Sequence, residues 1–220
     1  LLCTAGLIAL FAWFKARPFK LLFGVLVIAG FVFGMKLLPC FPPYRFTTHF
    51  AIGLQGALPG LLAMALIVPL ARSNRDWVGI VKGIFYGCLG ITVLAVAATY
   101  LGVVRWQFQL PPLAFERFLV NFFFTCIPEE GFFRGFFQAR LALYFRSGKL
   151  GKLLALLTTS VLFTLGHLFW TSSGAILGFV FLASLLYGGV YLISKRIESA
   201  IVTHFLLNFI HMTFFSYHAL

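Results

Sequence analysis

Residues 118–137 read FLVNFFFTCIPEEGFFRGFF and place two adjacent carboxylates and an arginine inside an otherwise apolar stretch. The chain has only five acidic residues, and Glu129 and Glu130 are two of them. An ionised side chain near the centre of a bilayer costs roughly 2.5–3.5 kcal/mol, so Glu129, Glu130 and Arg134 together cost about 8–10 kcal/mol before any pairing. Such a cluster indicates a functional site.

The composition indicates an integral membrane protein. Of the 220 residues, 61% are hydrophobic and 10% are charged, whereas a soluble domain is about 25% charged. Apolar runs able to cross a hydrocarbon core of about 30 Å lie at roughly 1–14, 19–38, 50–70, 78–104, 113–139, 153–170, 174–194 and 199–217. No barrel-like alternation appears, so the sequence predicts an all-α polytopic bundle of about eight transmembrane helices.

We expect one integral membrane domain over residues 1–220. Residues 1–112 would supply helices that shape the bundle, and residues 113–217 would supply the catalytic helices with all the motifs. The chain begins with Leu1 and its first apolar run is short, so we expect the start to be missing or trimmed. No charged segment precedes that run, which argues against a cleaved signal peptide.

The net charge of +12 does not indicate a nucleic-acid-binding protein. The basic residues lie between the apolar runs and form no continuous stripe with interleaved aromatics. If the first residue lies outside, twelve of the 17 Lys and Arg residues fall on the cytoplasmic side, four fall outside and Arg134 lies in the membrane. This partition follows the positive-inside rule, so we expect both termini outside, in a prokaryotic plasma membrane.

Pro128 directly precedes the two carboxylates. Because proline lacks an N–H, either the helix kinks at this point or a new helix starts there. If a helix starts, Glu129 and Glu130 occupy its first turn, where the helix dipole favours negative charge.

Glu130 and Arg134 are four residues apart and face each other along one side of a helix. We expect an ion pair between them, which would leave Glu129 as the freer carboxylate. Cys126 is the cysteine nearest to these carboxylates, and the four cysteines show no CxxC or paired spacing.

Two further apolar runs carry polar side chains that a membrane surface does not explain. His167 lies in the sixth run, and His204 and Asn208 lie four apart on one face of the last run. At 1.5 Å per residue in a core of about 30 Å, these residues reach the depth of Glu129, near mid-membrane. We therefore expect one buried polar site.

Such a set supports hydrolysis. A glutamate and a neighbouring histidine can together deprotonate a water, which would be the role of Glu129 and His167. His204 and Asn208 can donate to the oxygen of a tetrahedral intermediate. Taken alone, His167 is more often a hydrogen bonder between helices, and His204 with Asn208 a polar packing pair. Their combination with the carboxylates favours catalysis.

The three motifs resemble those of the CPBP family, the intramembrane CAAX-type endopeptidases and bacteriocin-processing proteins, also called Abi proteins. In order and spacing they are Glu129-Glu130-x-x-x-Arg134, Phe163-x-x-x-His167 and His204-x-x-x-Asn208. The resemblance spans residues 128–208 and implies an eight-helix bundle that cleaves near the end of a membrane-associated substrate. It also implies a role for each residue: Glu129 and His167 activate water, His204 and Asn208 stabilise the oxyanion, and Glu130 and Arg134 support them.

The use of a metal stays open at this point, because the family has been described both as metalloprotease and as glutamate protease. Glu129, His167 and His204 could supply three zinc ligands with an open position for water. However, no HExxH occurs, and Asn208 is a poor zinc ligand. We favour metal-free chemistry, with zinc as the alternative. His211 follows His204 by seven residues on the same face and could support or replace it.

Two other classes of function compete with the protease. A non-catalytic bacteriocin immunity protein or scaffold could share the family, and intramembrane Glu, His and Arg also build proton relays in transporters. A transporter would show paired halves with matching broken helices, and the first half has no counterpart of the Glu129 cluster. The sequence also lacks a GxSxG elbow and paired aspartates, since Asp76 is the only aspartate. The expected partners are the lipid bilayer and a membrane-anchored protein or peptide, whose prenylation the sequence does not reveal.

Overall fold

The computed structural model describes residues 2–16, 20–35, 37–38, 44–47, 50–146 and 148–217. Most of the described residues are helical, and very few lie in strands. This confirms the predicted all-α membrane bundle.

The described residues form eight helical segments, which follow the predicted apolar runs. They are α1 (Leu2–Ala16), α2 (Lys20–Gly34), α3 (Leu54–Leu66), α4 (Asn74–Tyr100), α5 (residues 114–144), α6 (Lys149–Gly166), α7 (Gly174–Ser194) and α8 (Ile197–Phe214). A 3₁₀ turn, His167–Phe169, extends α6. Within the described part of the chain, α4, α6 with its turn, α7 and α8 are long and apolar enough to cross a membrane, while α1, α2 and α3 are shorter apolar helices. The chain is an integral membrane protein.

Helix α5 carries the acidic pair and is helical throughout, although its winding changes along its length. Its five stretches are Ala114–Val120, Asn121–Cys126, Ile127–Glu130, Gly131–Gln138 and Ala139–Tyr144, of which the second and fourth are π-helical. The dihedral angles stay helical at each junction. No new helix starts at Pro128, so the helix-dipole argument for Glu129 and Glu130 does not apply. The wider π-turn before Pro128 accommodates its missing N–H and its ring.

Helix α3 packs closely against α5 beside the acidic pair. A Cβ atom on Gly60 would collide with the backbone of Pro128, and one on Gly131 would lie 2.8 Å from the Gly60 carbonyl oxygen. Small residues let two helix backbones approach in a membrane, where packing drives association. The glycines therefore fix how far α3 lies from Glu129 and Glu130.

An aromatic core joins α1 and α2 to the part of α5 that follows Glu129 and Glu130. The Phe136 ring lies 5.3 Å from that of Phe14 and 5.4 Å from that of Phe23. Aromatic pairs at such distances contribute more stabilisation than their buried area alone provides. This core anchors the half of α5 that follows the acidic pair.

Helix α8 is held against α4 by a second set of small residues. Cβ atoms on Gly83 and Gly87 would collide with the side chains of Ser199 and Thr203. Because Thr203 directly precedes His204, this contact fixes the part of α8 that carries the histidine.

Two short antiparallel sheets lie next to helix ends, and three of their four strands overlap the ends of predicted apolar runs. Tyr44–Thr47 (β1) pairs with Phe50–Ile52 (β2), and Val104–Trp106 (β3) pairs with Phe215–Tyr217 (β4). The predicted runs 78–104 and 199–217 extended beyond the helices, which end at Tyr100 and Phe214. Hydropathy alone does not separate an apolar strand from the end of an apolar helix.

Candidate active site

Glu130 joins α5 to α8 in the centre of the bundle. Its side chain is fully buried, and Oε1 accepts a hydrogen bond from Arg134 Nη1 at 3.1 Å. The same oxygen lies 2.8 Å from His204 Nδ1, whose N–H donates to it. The predicted ion pair between Glu130 and Arg134 is confirmed. The contact with His204 was not predicted.

Arg134 connects the acidic pair to α6 and α7. Its Nη2 donates to Ser184 Oγ at 2.7 Å and to the Ser184 carbonyl oxygen at 3.0 Å. The guanidinium carbon lies 4.6 Å from the ring centroid of Phe163 and 5.3 Å from that of Tyr187. Cation–π contacts of this kind are strongest where water is excluded. Arg134 is therefore held by three helices.

The imidazole of His204 is fixed on two sides. Its ring stacks on that of Tyr187, with centroids 4.5 Å apart and planes 14° apart, and its Nδ1 is engaged by Glu130. Nε2 is then the ring nitrogen that His204 can offer to the cavity that it lines.

His167 stands at the start of the 3₁₀ turn, where α6 ends. Its Nδ1 lies 2.8 Å from the carbonyl oxygen of Phe163. A carbonyl only accepts, so this contact assigns the proton to Nδ1 and leaves Nε2 of the neutral ring as an acceptor. The turn thus presents a basic nitrogen near the end of the helix.

One cavity of about 980 Å³ collects the predicted residues. Glu129, His167, His204 and Asn208 all line it, although they come from three helices that are distant in sequence. Glu129 Oε2 is buried without a hydrogen-bond partner. Glu130 and Arg134 are fully buried. Glu130 Oε2 also has no partner, but Glu130 Oε1 is engaged by Arg134 and His204, so Glu129 is the less engaged of the two carboxylates.

The amide of Asn208 is oriented by the first π-helical stretch of α5. Nδ2 lies 3.4 Å from Asn121 Oδ1 and 3.8 Å from Cys126 Sγ. The Cys126 thiol in turn donates to Asn121 Oδ1 at 3.3 Å. The amide nitrogen of Asn208 thus faces α5 in this conformation.

The sequence reasoning missed Asn121, Ser184 and Tyr187. Asn121 was within reach, because it is a polar residue in the same apolar run, eight residues before Glu129. Ser184 and Tyr187 lie in the apolar run 174–194 with no motif around them, so no sequence signal marked them. His211 was named as a possible substitute for His204, and it lines the same cavity.

The side chains considered as zinc ligands do not form a cluster in this conformation, and the metal-free reaction stays a prediction. Among the residues that the structure describes, no group of three or more His, Cys, Asp or Glu side chains is placed to hold a metal ion. The alternative ligand set of Glu129, His167 and His204 is therefore not assembled as a cluster, and Nδ1 of His204 is already engaged by Glu130.

Comparison with known families agrees with this site. Residues 111–210 match the family model described as type II CAAX prenyl endopeptidase, Rce1-like. The resemblance to the CAAX protease family is confirmed. The matched region contains all six predicted site residues. No curated protein and no solved structure matches the chain. In general terms, the match supports an intramembrane endopeptidase of the CAAX type, and such a protease family implies a membrane-associated peptide substrate.

Proposed function

We propose that the chain hydrolyses a peptide bond in a membrane-anchored protein or peptide through a water activated by Glu129 and His167. The observation that carries the proposal is the common cavity of Glu129, His167, His204 and Asn208. A carboxylate, a basic imidazole nitrogen and two potential donors around one space are the groups that acyl transfer to water requires.

The first step uses the two free acceptors. The Glu129 carboxylate takes a proton from the water, and the water oxygen attacks the carbonyl carbon of the scissile bond. His167 Nε2 is a second acceptor for the same water, because Nδ1–H is committed to the Phe163 carbonyl. The proton held by Glu129 then passes to the leaving amine as the carbon–nitrogen bond breaks.

His204 stabilises the oxyanion that forms during the attack. A protonated imidazole has N–H groups on both ring nitrogens. Nδ1–H donates to Glu130, and Nε2–H donates to the intermediate. The Glu130 carboxylate supports the positive charge, and the stacked Tyr187 ring holds the orientation. A donor fixed in advance costs no reorganisation during the reaction.

Asn208 contributes the second donor after a small rotation. Its bond to Asn121 Oδ1, at 3.4 Å, is longer than the usual N–H···O range of about 2.7–3.2 Å, and the Cys126 sulfur at 3.8 Å is a weak acceptor. A developing negative charge forms shorter and stronger hydrogen bonds. The amide therefore turns one N–H from Asn121 or Cys126 toward the oxyanion.

The shape of the cavity suits an apolar segment near the end of a substrate. Beside the polar groups, its wall is formed by apolar side chains such as Phe124, Phe132 and Phe179. Its volume of about 980 Å³ lies at the upper end of the range for binding sites that enclose small ligands. Several side chains of a membrane-tethered peptide therefore fit beside the reacting groups.

Expression of the parent and of single-residue variants in the native host tests the proposal. The parent and the variants Glu129→Ala, His167→Ala and His204→Ala are compared for new termini in the membrane proteome, read by labelling and mass spectrometry. Cleavage products present with the parent and lost in the variants support the protease. Identical termini in all strains, with the protein in the membrane, would favour the non-catalytic immunity or scaffold function instead.

A further inference from the structure

A second group of buried polar side chains takes part in no step of the proposed reaction. It consists of Gln138 on α5 with Thr159 and Ser160 on α6, and all three side chains are buried. Gln138 Oε1, Thr159 Oγ1, Ser160 Oγ and Arg134 Nε have no hydrogen-bond partner within the described part of the structure. An unpaired buried polar atom is destabilising, so this concentration requires an explanation.

Contacts of Arg134 and Gln138 place the group along the helices. Arg134 lies against Phe163 of α6 and Ser184 of α7. One turn further along α5, the Gln138 side-chain amide donates to the Gly188 carbonyl at 3.3 Å. These two levels are about one helical turn apart along α5.

Thr159 and Ser160 lie between these two levels along α6, and both side chains are buried. A Cβ atom on Gly188 would lie 2.7 Å from Gln138 Oε1 and would collide with the Leu156 side chain, so Leu156 marks the Gln138 level on α6. Phe163 marks the Arg134 level. Thr159 and Ser160 are each three or four residues from Leu156 and from Phe163. Residues with this spacing share a helix face.

We infer that this group is a binding site for buried water, bounded by Arg134, Gln138, Thr159 and Ser160. The unpaired atoms include a donor on Arg134, an acceptor on Gln138 and two hydroxyls that serve as either. Water supplies two donors and two acceptors, and buried waters typically make about three hydrogen bonds to such groups. A metal cation is excluded as the occupant by the adjacent guanidinium charge.

The bound water would hold Arg134, and through it Glu130. A buried ion pair is stable only when its remaining donors and acceptors are also satisfied. Gln138, Thr159 and Ser160 are absent from the described lining of the large cavity. The water site is therefore distinct from the water that attacks substrate, and its presence does not depend on the proposed protease function.

Isosteric replacement of one hydroxyl tests the inference in the full chain in detergent. Thr159→Val keeps the shape of the side chain and removes the hydroxyl, and Thr158→Val is the matched control because Thr158 is exposed on the same helix. If the Thr159 hydroxyl binds water, we expect a Tm about 2–4 °C lower for Thr159→Val, with Thr158→Val close to the parent. Ser160→Ala should change the Tm in the same direction.

A Tm that does not fall in these variants would argue against a bound water. A hydroxyl that is buried without any partner is unfavourable, so its removal would leave the Tm equal or higher. An unchanged or raised Tm in both Thr159→Val and Ser160→Ala would overturn the inference. An experimental structure at about 2 Å gives a second test. It should contain an ordered water within 3.2 Å of at least two of these groups, and its absence there would also contradict the site.

Discussion

Glu130 Oε1 lies 2.8 Å from Nδ1 of His204, 74 residues further along the chain. The same oxygen accepts from Arg134, so one buried carboxylate holds both a structural cation and a catalytic candidate. The contact joins the first and the third motifs directly. Glu130 thereby sets the direction in which His204 offers its other nitrogen to the cavity.

Removing the charge of Glu130 should destabilise the protein because Arg134 would stay buried without its carboxylate. We expect Glu130→Gln to lower the free energy of unfolding by about 3–5 kcal/mol. Replacing the pair together, in Glu130→Gln/Arg134→Met, should recover part of that stability but not cleavage, because the glutamine oxygen still accepts from His204 but no longer supports a positive charge on its ring. Thermal unfolding and product formation measure the two effects. The exposed Glu116→Gln is the control and should change stability by less than about 0.5 kcal/mol.

Asn208 and Asn121 should act as one unit. Asn208→Ala removes an oxyanion donor, and we expect kcat to fall about 10²–10³-fold. Asn121→Ala should cause a smaller loss in kcat, because Asn121 acts by orienting Asn208. In the Asn208→Ala background, Asn121→Ala should have no further effect on kcat. Equal and additive losses would show that Asn121 acts independently.

The close approach of α3 to Pro128 should make Gly60 sensitive to a single methyl group. Gly60→Ala would push α3 away from the backbone of Pro128, and overpacking of this kind costs about 1–3 kcal/mol. We expect a lower Tm and slower cleavage, since Glu129 follows Pro128. Gly24→Ala is the control in α2, where a Cβ meets nothing within 4 Å. It should be neutral or stabilising, because alanine favours helix over glycine.

Chelators should not inhibit cleavage if the reaction uses the carboxylate and imidazoles alone. We expect the rate of purified protein to be unchanged after prolonged treatment with 1,10-phenanthroline or EDTA. A loss of activity that added zinc restores would contradict this mechanism. Glu129, His167 and His204 would then have to move together to form a ligand set.

The sequence predicted the bundle and the Glu130–Arg134 pair for local reasons. Apolar runs must form helices in lipid, and side chains four apart on a helix meet whatever the tertiary structure. Helix rise also predicted a common depth for Glu129, His167 and Asn208, and all three line one cavity. These properties need no knowledge of how helices pack around one another.

The remaining features depend on packing and could not be predicted from the sequence. Stacking of Tyr187 on His204 depends on how α7 is oriented about its own axis, and an all-apolar run does not reveal that orientation. The continuation of α5 through Pro128 depends on two π-helical stretches, and proline alone predicts a kink or a boundary. Similarly, the contact between Glu130 and His204 follows from how α8 packs on α4 through Gly83 and Gly87.

The most direct test compares cleavage and stability for Glu129→Gln in purified protein reconstituted into vesicles with a membrane-anchored peptide that the parent cleaves. Removing the base should slow cleavage by about 10²–10⁴-fold. The Tm should be unchanged or higher, because the buried Oε2 of Glu129 has no partner to lose. Cleavage at the parental rate by a folded Glu129→Gln protein would contradict the account.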